Sequence, residues 1–233
     1  MKKIVDIILL TYNNLYNTKE CIKNLYDNTN INDFNLIVLD NNSKEETREY
    51  LKIIFDIYSN IYLSFQQQNL GVIRGRNYGY YFSRKYDSPY VCFLDNDQFV
   101  KKNWLNSYLK LLKEYDIVGA EGWLMRKDFY PIRKVKINEQ YSYVGAGGMF
   151  IKRKVTKDIG LFNTMFKKKY FEDPDLIFRA HKKGYKICWN KEDNIYHNHK
   201  GNLLNKETKK LFSENLKKFQ KKWKGFDIPV LNN

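Results

Sequence analysis

The chain has 233 residues, of which 43% are hydrophobic, so it can bury one substantial core. Its 41 Lys and Arg residues outnumber its 26 Asp and Glu residues, and the formal charge of +15 suits an anionic substrate, an anionic membrane surface or nucleic acid. Three cysteines without metal-ligand spacing fit no simple disulfide framework. With no membrane-length apolar run and no recognisable signal segment, we expect a cytoplasmic protein.

Strand-like and helix-like segments alternate through the first hundred residues. Apolar, β-branched runs predict strands at residues 5–10, 36–40 and 61–65, and a fourth strand that ends in Asp95. Three helices are predicted between these strands. Asn17 caps the first, a capping box of Ser43 and Glu46 begins the second, and the third extends over residues 71–84. Such alternation is typical of βαβ units, so the predicted fold class is α/β with a mostly parallel sheet.

The pattern is less regular after residue 97. We predict a helix over 104–112, a strand over 117–120 and irregular strands and loops over 122–144. The glycine-rich segment 145–148 indicates a tight turn or a close approach of the backbone. A further helix over 176–182 and a strand over 185–189 follow.

A lysine-rich segment with regularly spaced apolar residues predicts a last helix over 206–224. Its apolar residues are Leu211, Phe212, Leu216, Phe219 and Trp223. The favoured explanation is that this face docks on the rest of the chain while the lysines are solvated. The alternative is a helix that lies on anionic lipid at the inner face of the cell membrane.

The tripeptide Asp95-Asn96-Asp97 closes the fourth predicted strand. In open α/β sheets, ligands bind in the crevice beyond the carboxyl ends of the strands. Carboxylates placed there suit hard cations such as Mg²⁺ or Mn²⁺, which bind through one or two carboxylates and substrate phosphates. A polar turn after a strand would explain the same residues.

Polar segments also follow the first two predicted strands, namely residues 11–14 and 40–43. Because parallel strands end at one edge of the sheet, Asp40 is placed to accept hydrogen bonds from a nucleobase or ribose. An Asx turn that leads into Ser43 is an equally good explanation of Asp40.

The segment 69–79 combines glycines with Arg74 and Arg76 near a predicted helix start, where an arginine could pair with phosphate. It has the spacing of neither a P-loop nor the G-x-G-x-x-G fingerprint, which argues against an ATPase or a dehydrogenase.

Three acids, Glu172, Asp173 and Asp175, surround a proline at a predicted helix start. The helix dipole favours acids there, and this explanation suffices for Glu172 and Asp175. A carboxylate beside an open crevice would also suit a general base that deprotonates a sugar hydroxyl.

The segment 69–79, Asp95-Asn96-Asp97 and Phe171-Glu172-Asp173 resemble, in this order, the motifs of inverting glycosyltransferases of family two, which have the GT-A fold. The resemblance also includes Gly147-Gly148 and the run from Ile159 to Arg179, and it covers roughly residues 3–201. It implies a catalytic domain over 1–202, with a donor half over about 1–100 and an acceptor half over about 101–202. Residues 203–233 would form a basic, amphipathic C-terminal helix and tail.

The resemblance implies a donor site for a nucleotide-diphosphate sugar. Thr11, Tyr12 and Asp40 would line the nucleoside pocket. Arg76 would lie beside the nucleotide, and Asp95 would contact the ribose or the donor sugar.

The resemblance also implies the residues that perform the chemistry. Asp97 would bind Mn²⁺ or Mg²⁺ directly, and Asp173 would be the catalytic base, with Glu172 orienting donor or acceptor. Gly147 and Gly148 would let the backbone approach the sugars.

Family relatives often add a histidine as a further metal ligand near the end of the domain. His197 is the first candidate because it directly follows a strand-like pair of residues, and His199 is the alternative. Either histidine could equally be a polar loop residue.

The implied activity is transfer of a sugar to a hydroxyl of a cell-envelope or surface glycan, lipid-linked, or of a protein. A nucleotidyltransferase acting on sugar phosphates is an alternative, but it would need a glycine- and basic-rich loop near the N-terminus. A non-enzymatic RNA- or membrane-binding module would explain the charge, but not acids placed after apolar strands. We therefore expect no nucleic-acid partner.

Overall fold

The computed structural model describes residues 2–198 and 205–232. Its strands are β1 (Val5–Thr11), β2 (Phe34–Asp40), β3 (Ile61–Phe65), β4 (Tyr90–Asp95), β5 (Gln98–Val100), β6 (Ile117–Gly119), β7 (Gly122–Met125), β8 (Pro131–Lys134), β9 (Tyr143–Val144), β10 (Met149–Lys152), β11 (Ile187–Trp189) and β12 (Ile195–His197). Its helices are α1 (Leu15–Asn28), α2 (Glu45–Ile57), α3 (Gly71–Ser83), α4 (Trp104–Leu111), α5 (Arg153–Ile159), α6 (Glu172–Lys182) and α7 (Lys206–Lys222).

A seven-stranded sheet with the order β11-β6-β10-β4-β1-β2-β3 forms the centre of the molecule. Only β10 runs antiparallel to its neighbours, so the predicted α/β class with a mostly parallel sheet is confirmed. All seven residues of β1 are buried. This burial explains the unbroken apolar run near the N-terminus, since a central parallel strand is covered on both faces.

The two faces of the sheet carry separate cores. Ile8 of β1 belongs to a core with residues of α3, α5, α6 and α7, whereas Ile7 and Leu9 belong to one with residues of α1, α2 and α4. The alternation follows from the two-residue period of a strand. All three cysteines are buried free thiols.

Two small antiparallel sheets lie beside the central one. Strands β8, β7 and β9 form a three-stranded sheet in the region predicted to be irregular. Strands β5 and β12 pair with each other, and this pairing sets His197 opposite Gln98. The residues after the Asp95-Asn96-Asp97 turn are thereby joined to a segment about a hundred positions later in the chain.

The predicted starts of two helices are wrong. Helix α1 is capped by Asn14, whose side chain accepts a hydrogen bond from the backbone N–H of Asn17, so Asn17 is not the cap. Helix α2 has no capping box, because the Ser43 hydroxyl instead accepts a hydrogen bond from the backbone N–H of Asn13, at 2.7 Å. A contact between two strand ends thus replaces the local cap.

Helix α7 is docked on the rest of the chain through its apolar face, as the favoured explanation expects. Phe219 is fully buried and Trp223 is 6% exposed. The buried carboxylate of Asp175 in α6 accepts hydrogen bonds from Arg179, Lys222 and the Trp223 indole, at 2.9, 2.5 and 3.0 Å. Within the described residues, no helix combines the length and apolar character needed to cross a bilayer.

Candidate active site

A crevice opens at the carboxyl edge of the central sheet, where Leu10 of β1 lies beside Asp95 of β4. It has two lobes, of about 670 and about 480 Å³, which we call the Asn41 lobe and the Trp123 lobe after a residue that lines each. The lobes share the lining residues Val72, Arg76, Asp95, Lys169, Tyr170 and His197. They therefore form one continuous site with a common wall.

Asp97, which lines the Asn41 lobe, lies beside Asp95 and His197 of this wall. One ligand atom from each lies within 4.8 Å of the others, and Asp97 Oδ1 is 3.1 Å from His197 Nε2. The β5–β12 pairing places His197, the first candidate, beside the two aspartates, while His199 lies outside the described residues. Two carboxylates and an imidazole form a donor set that suits Mn²⁺, so these residues fit a divalent metal.

Burial alone would lower the pKa of His197, but the hydrogen bond and the negative charge of Asp97 outweigh it and raise that pKa above its ordinary value. The charge of Asp95 acts in the same direction. The two carboxylates thus create a negative electrostatic potential that would attract a cation.

Arg76 is nearly buried, and its guanidinium is committed to Asp95. Its Nη2 donates to both oxygens of that carboxylate, at 2.7 and 2.9 Å, and its Nη1 lies 3.9 Å from Glu172. Burial would lower the pKa of Arg76, but the two acids raise it. Arg76 lines both lobes, but most of its charge is neutralised by Asp95 within the protein.

Helix α6 begins at the crevice with Glu172 and Asp173. Glu172 is 4% exposed, and its Oε2 has no hydrogen-bond partner among the described residues, whereas Asp173 is partly exposed and lines the Trp123 lobe. Burial raises the pKa of both carboxyls, and for Glu172 the charge of Asp173 adds to this. The charge of Arg76 opposes both increases. Asp173 is therefore a better proton acceptor than an ordinary aspartate.

The residues predicted to line a nucleoside pocket separate into two groups. Tyr12 is 49% exposed and lines the Asn41 lobe. Thr11 is fully buried against Thr18, and Asp40 is 1% exposed and accepts the Ser43 backbone N–H at 3.2 Å through both oxygens. Neither Thr11 nor Asp40 lines the lobe, and the Asp40 carboxylate makes a local contact three residues on, one residue further than in an Asx turn.

The two glycines after Ala146 allow close packing of the site's own parts. A side chain at Gly147 would approach the Asp95 carboxylate to 2.9 Å and Gln98 to 3.0 Å. Gly148 has a φ of +72°, and its neighbours leave no room for a Cβ. Gly147 lines the Trp123 lobe, beside the group of Asp95, Asp97 and His197, which we call the candidate metal-binding group.

Several residues of the site have no assignment from the sequence. The Asn96 side chain donates to Thr18 at 2.9 Å and Thr11 at 3.3 Å, which ties the end of β4 to the end of β1. Gln98 accepts the backbone N–H of Asp95 at 3.0 Å. The unassigned lining of the Trp123 lobe includes Trp123, Lys134, Tyr143, Lys169, Tyr170 and Phe212. Only the basic run at 167–169, close to Glu172 and Asp173, offered a signal in the sequence.

Solved structures with a similar fold were found by comparison of coordinates. A structure of S. aureus TarS 1-349 matches with a TM-score of 0.62 at 18% identity, over 84% of this chain and 60% of that one. GalNAc-T7, solved with UDP, GalNAc and Mn²⁺, matches with a TM-score of 0.71 at 14% identity, over 85% of this chain and 44% of that one. The chain thus spans less than two thirds of either, and the likeness shows a shared GT-A fold.

A search of curated proteins found no matching relative. Residues 6–173, which include the ends of β1 and β4 and the start of α6, match the family described as glycosyl transferase family 2. The match covers well over half of the sequence and agrees with the fold and with the acids in the crevice, so the chain belongs to glycosyl transferase family 2.

Proposed function

We propose that the protein is a metal-dependent, inverting glycosyltransferase that moves a sugar from a nucleotide-diphosphate sugar to a hydroxyl acceptor. One observation carries the proposal. Asp173, a carboxylate with a raised pKa, opens into the same crevice as the group of Asp95, Asp97 and His197. A proton acceptor and a cation site in one crevice are what direct displacement of a diphosphate requires.

The donor would occupy the Asn41 lobe, with its base and ribose near Tyr12 and Asn41 and its diphosphate near Asp97. Asp97 and His197 would hold Mn²⁺ or Mg²⁺ with Asp95 beside them, and the bound ion would neutralise charge on the leaving diphosphate. A TarS structure in complex with UDP-GlcNAc and the GalNAc-T7 structure with UDP and Mn²⁺ support this choice of donor class and metal.

The acceptor would enter the Trp123 lobe, where Asp173 can reach its hydroxyl group. Asp173 takes the hydroxyl proton while the oxygen forms a bond to the anomeric carbon. The bond from that carbon to the diphosphate breaks, and the nucleoside diphosphate leaves with the bonding electrons. A single displacement of this kind inverts the anomeric configuration and needs no enzyme-linked intermediate.

The rings of Trp123 and Tyr143 lie 17° from parallel beside this lobe, and Tyr170 and Phe212 line it as well. Aromatic faces of this kind suit the apolar face of a sugar, which supports a glycan acceptor, lipid-linked or on a cell surface, ahead of a protein. The lysines on the exposed side of α7 would allow peripheral contact with an anionic membrane at its cytoplasmic face.

The test is a panel of nucleotide sugars, incubated with the protein in the presence and absence of Mn²⁺. We expect slow Mn²⁺-dependent hydrolysis and thermal stabilisation with one donor, and no hydrolysis of that donor by the Asp173→Asn variant. Absence of binding and hydrolysis for every donor tested would contradict the proposal.

A further inference from the structure

Lys169 differs from the other cations that line the crevice. The others are each paired with an acid: Arg76 with Asp95, Lys134 with Glu121, Lys168 with Glu207 and His197 with Asp97. Lys169 makes no ion pair with any acidic side chain in the part of the chain that the structure describes, and its ammonium lies 5.0 Å from the Tyr170 ring centre. It lines both lobes, so it stands where they meet.

The backbone around Lys169 is held in an unusual conformation. Lys168, Tyr170 and Phe171 have φ values of 54°, 78° and 69°, all in the left-handed region that residues other than glycine rarely adopt. Such residues are strained and persist where their surroundings hold them in place. The segment 167–171 therefore needs strong external contacts.

Asn215 of α7 supplies one set of these contacts. Its side chain is fully buried, accepts the Lys167 backbone N–H at 3.1 Å, and donates to the carbonyls of Lys167 and Lys169 at 3.0 and 2.8 Å. On the other side, the Ile73 backbone N–H at the start of α3 donates to the Lys168 carbonyl at 3.0 Å. The segment is thus fixed between the C-terminal helix and a helix of the donor half.

We propose that Lys169 binds the diphosphate of the donor and that Asn215 is a positioning residue that holds Lys169 there. The inference rests on the proposed function. It follows from charge: the arginine closest to the candidate metal-binding group is committed to Asp95, so Lys169 is the cation left to meet phosphate oxygens. Lysine commonly serves phosphate in this way, as a point charge on a flexible stem.

The first experiment measures binding of UDP, GDP, CDP and dTDP in the presence of Mn²⁺ by calorimetry, and then uses the tightest ligand. Lys169→Gln should weaken that ligand by about tenfold or more, because it removes a charge-assisted hydrogen bond. Lys167→Gln is the matched control, since it removes the same charge two residues away on a side chain that lines neither lobe. Equal affinities of Lys169→Gln and Lys167→Gln would overturn the inference.

The second experiment tests positioning by a double-mutant cycle on the same ligand. Asn215→Ala should weaken binding in the wild-type background and add little to Lys169→Gln. Asn60→Ala removes a buried asparagine with two hydrogen bonds far from the crevice, and it controls for lost stability. If Asn215→Ala does not fold, Asn215→Leu keeps the approximate shape of the side chain and removes its hydrogen bonds without adding a charge. Additive losses would show that Asn215 does not act through Lys169.

The two proposals fail in different ways. If the wild type binds none of the four nucleoside diphosphates, the proposed function is contradicted and the inference fails with it. If the wild type binds one of them and Lys169→Gln binds it equally well, the inference alone is wrong.

Discussion

The Nη2 group of Arg76 donates hydrogen bonds to both carboxylate oxygens of Asp95, at 2.7 and 2.9 Å, in the common wall of the two lobes. This pair fixes the Asp95 carboxylate at the edge of the candidate metal-binding group and leaves its partly exposed side towards the crevice. An arginine that the sequence associates with phosphate thus orients an acid of the site.

Replacing Arg76 by Gln should destabilise the fold by roughly 3 kcal/mol, because it leaves the Asp95 carboxylate without its buried positive partner. Urea unfolding would measure the loss. Arg126→Gln removes a fully exposed arginine that pairs with Asp128, and it should have little effect. Similar losses for the two variants would contradict the role given to Arg76.

Asp97→Ala and His197→Ala should each weaken Mn²⁺ binding by tenfold or more, because each removes one of few protein ligands. Calorimetric titration with Mn²⁺ alone gives the affinities without reference to activity. His181→Ala removes an exposed histidine of α6 that lies outside the candidate metal-binding group, and its Mn²⁺ affinity should equal that of the wild type.

Asp173→Asn should lower turnover by about 10² to 10⁴, the usual contribution of a general base, with little change in the affinity for nucleoside diphosphate. Single-turnover rates and calorimetry would separate the two quantities. In the wild type, the rate should rise with pH at values above those of an ordinary aspartate, because the pKa of Asp173 is raised. Wild-type turnover by Asp173→Asn would disprove the assignment.

Glu172→Gln should change how stability depends on pH. Burial raises the pKa of Glu172 in the folded state, so the folded protein holds a proton that the unfolded chain has already released. Stability from this group is present below its ordinary pKa and is lost as pH rises towards the raised value. The variant should therefore lose less stability than the wild type between about pH 5 and about pH 9 in urea unfolding. Parallel pH profiles would contradict this expectation.

Gly71→Ala should be more damaging than Gly184→Ala, although both glycines have φ near +80°. A Cβ at Gly184 meets no atom within 4 Å, whereas one at Gly71 would approach the Lys168 Cα to 2.8 Å. Backbone strain alone should cost Gly184→Ala about 1 kcal/mol. Gly71→Ala should cost more and also weaken nucleoside diphosphate binding, because it displaces the segment that carries Lys169. Thermal unfolding and calorimetry would measure both effects.

The main sheet was predictable because its strands are buried on both faces and leave long apolar runs, as in β1 and β2. The helix caps were not, since the sequence suggests a local partner for the Ser43 hydroxyl, whereas in the structure its partner is the distant backbone N–H of Asn13. Strands of two to four residues, such as β9 and β12, are too short to show an alternation of apolar and polar residues, so their partner strands cannot be predicted from the sequence.

The site was predictable to a similar extent. The acids at the ends of β4 and the start of α6 have clear local signatures, and the structure brings them into one crevice. Asp40 could not be resolved, because its residue type serves a ligand or a turn equally well. The role of Lys169 depends on which neighbouring cations are already paired, and only tertiary structure shows this.

Three carboxylates in the first turn of α6 point in three different directions. Each residue turns the helix by about 100°, so Glu172 faces Arg76, Asp173 faces the Trp123 lobe and Asp175 faces α7. Within four residues, the chain thus places the proposed base Asp173, the partner Glu172 of Arg76, and Asp175, which holds α7 in place. Amide substitutions at these positions should have three different effects. Asp173→Asn should slow turnover, Glu172→Gln should change how stability depends on pH, and Asp175→Asn should weaken the attachment of α7.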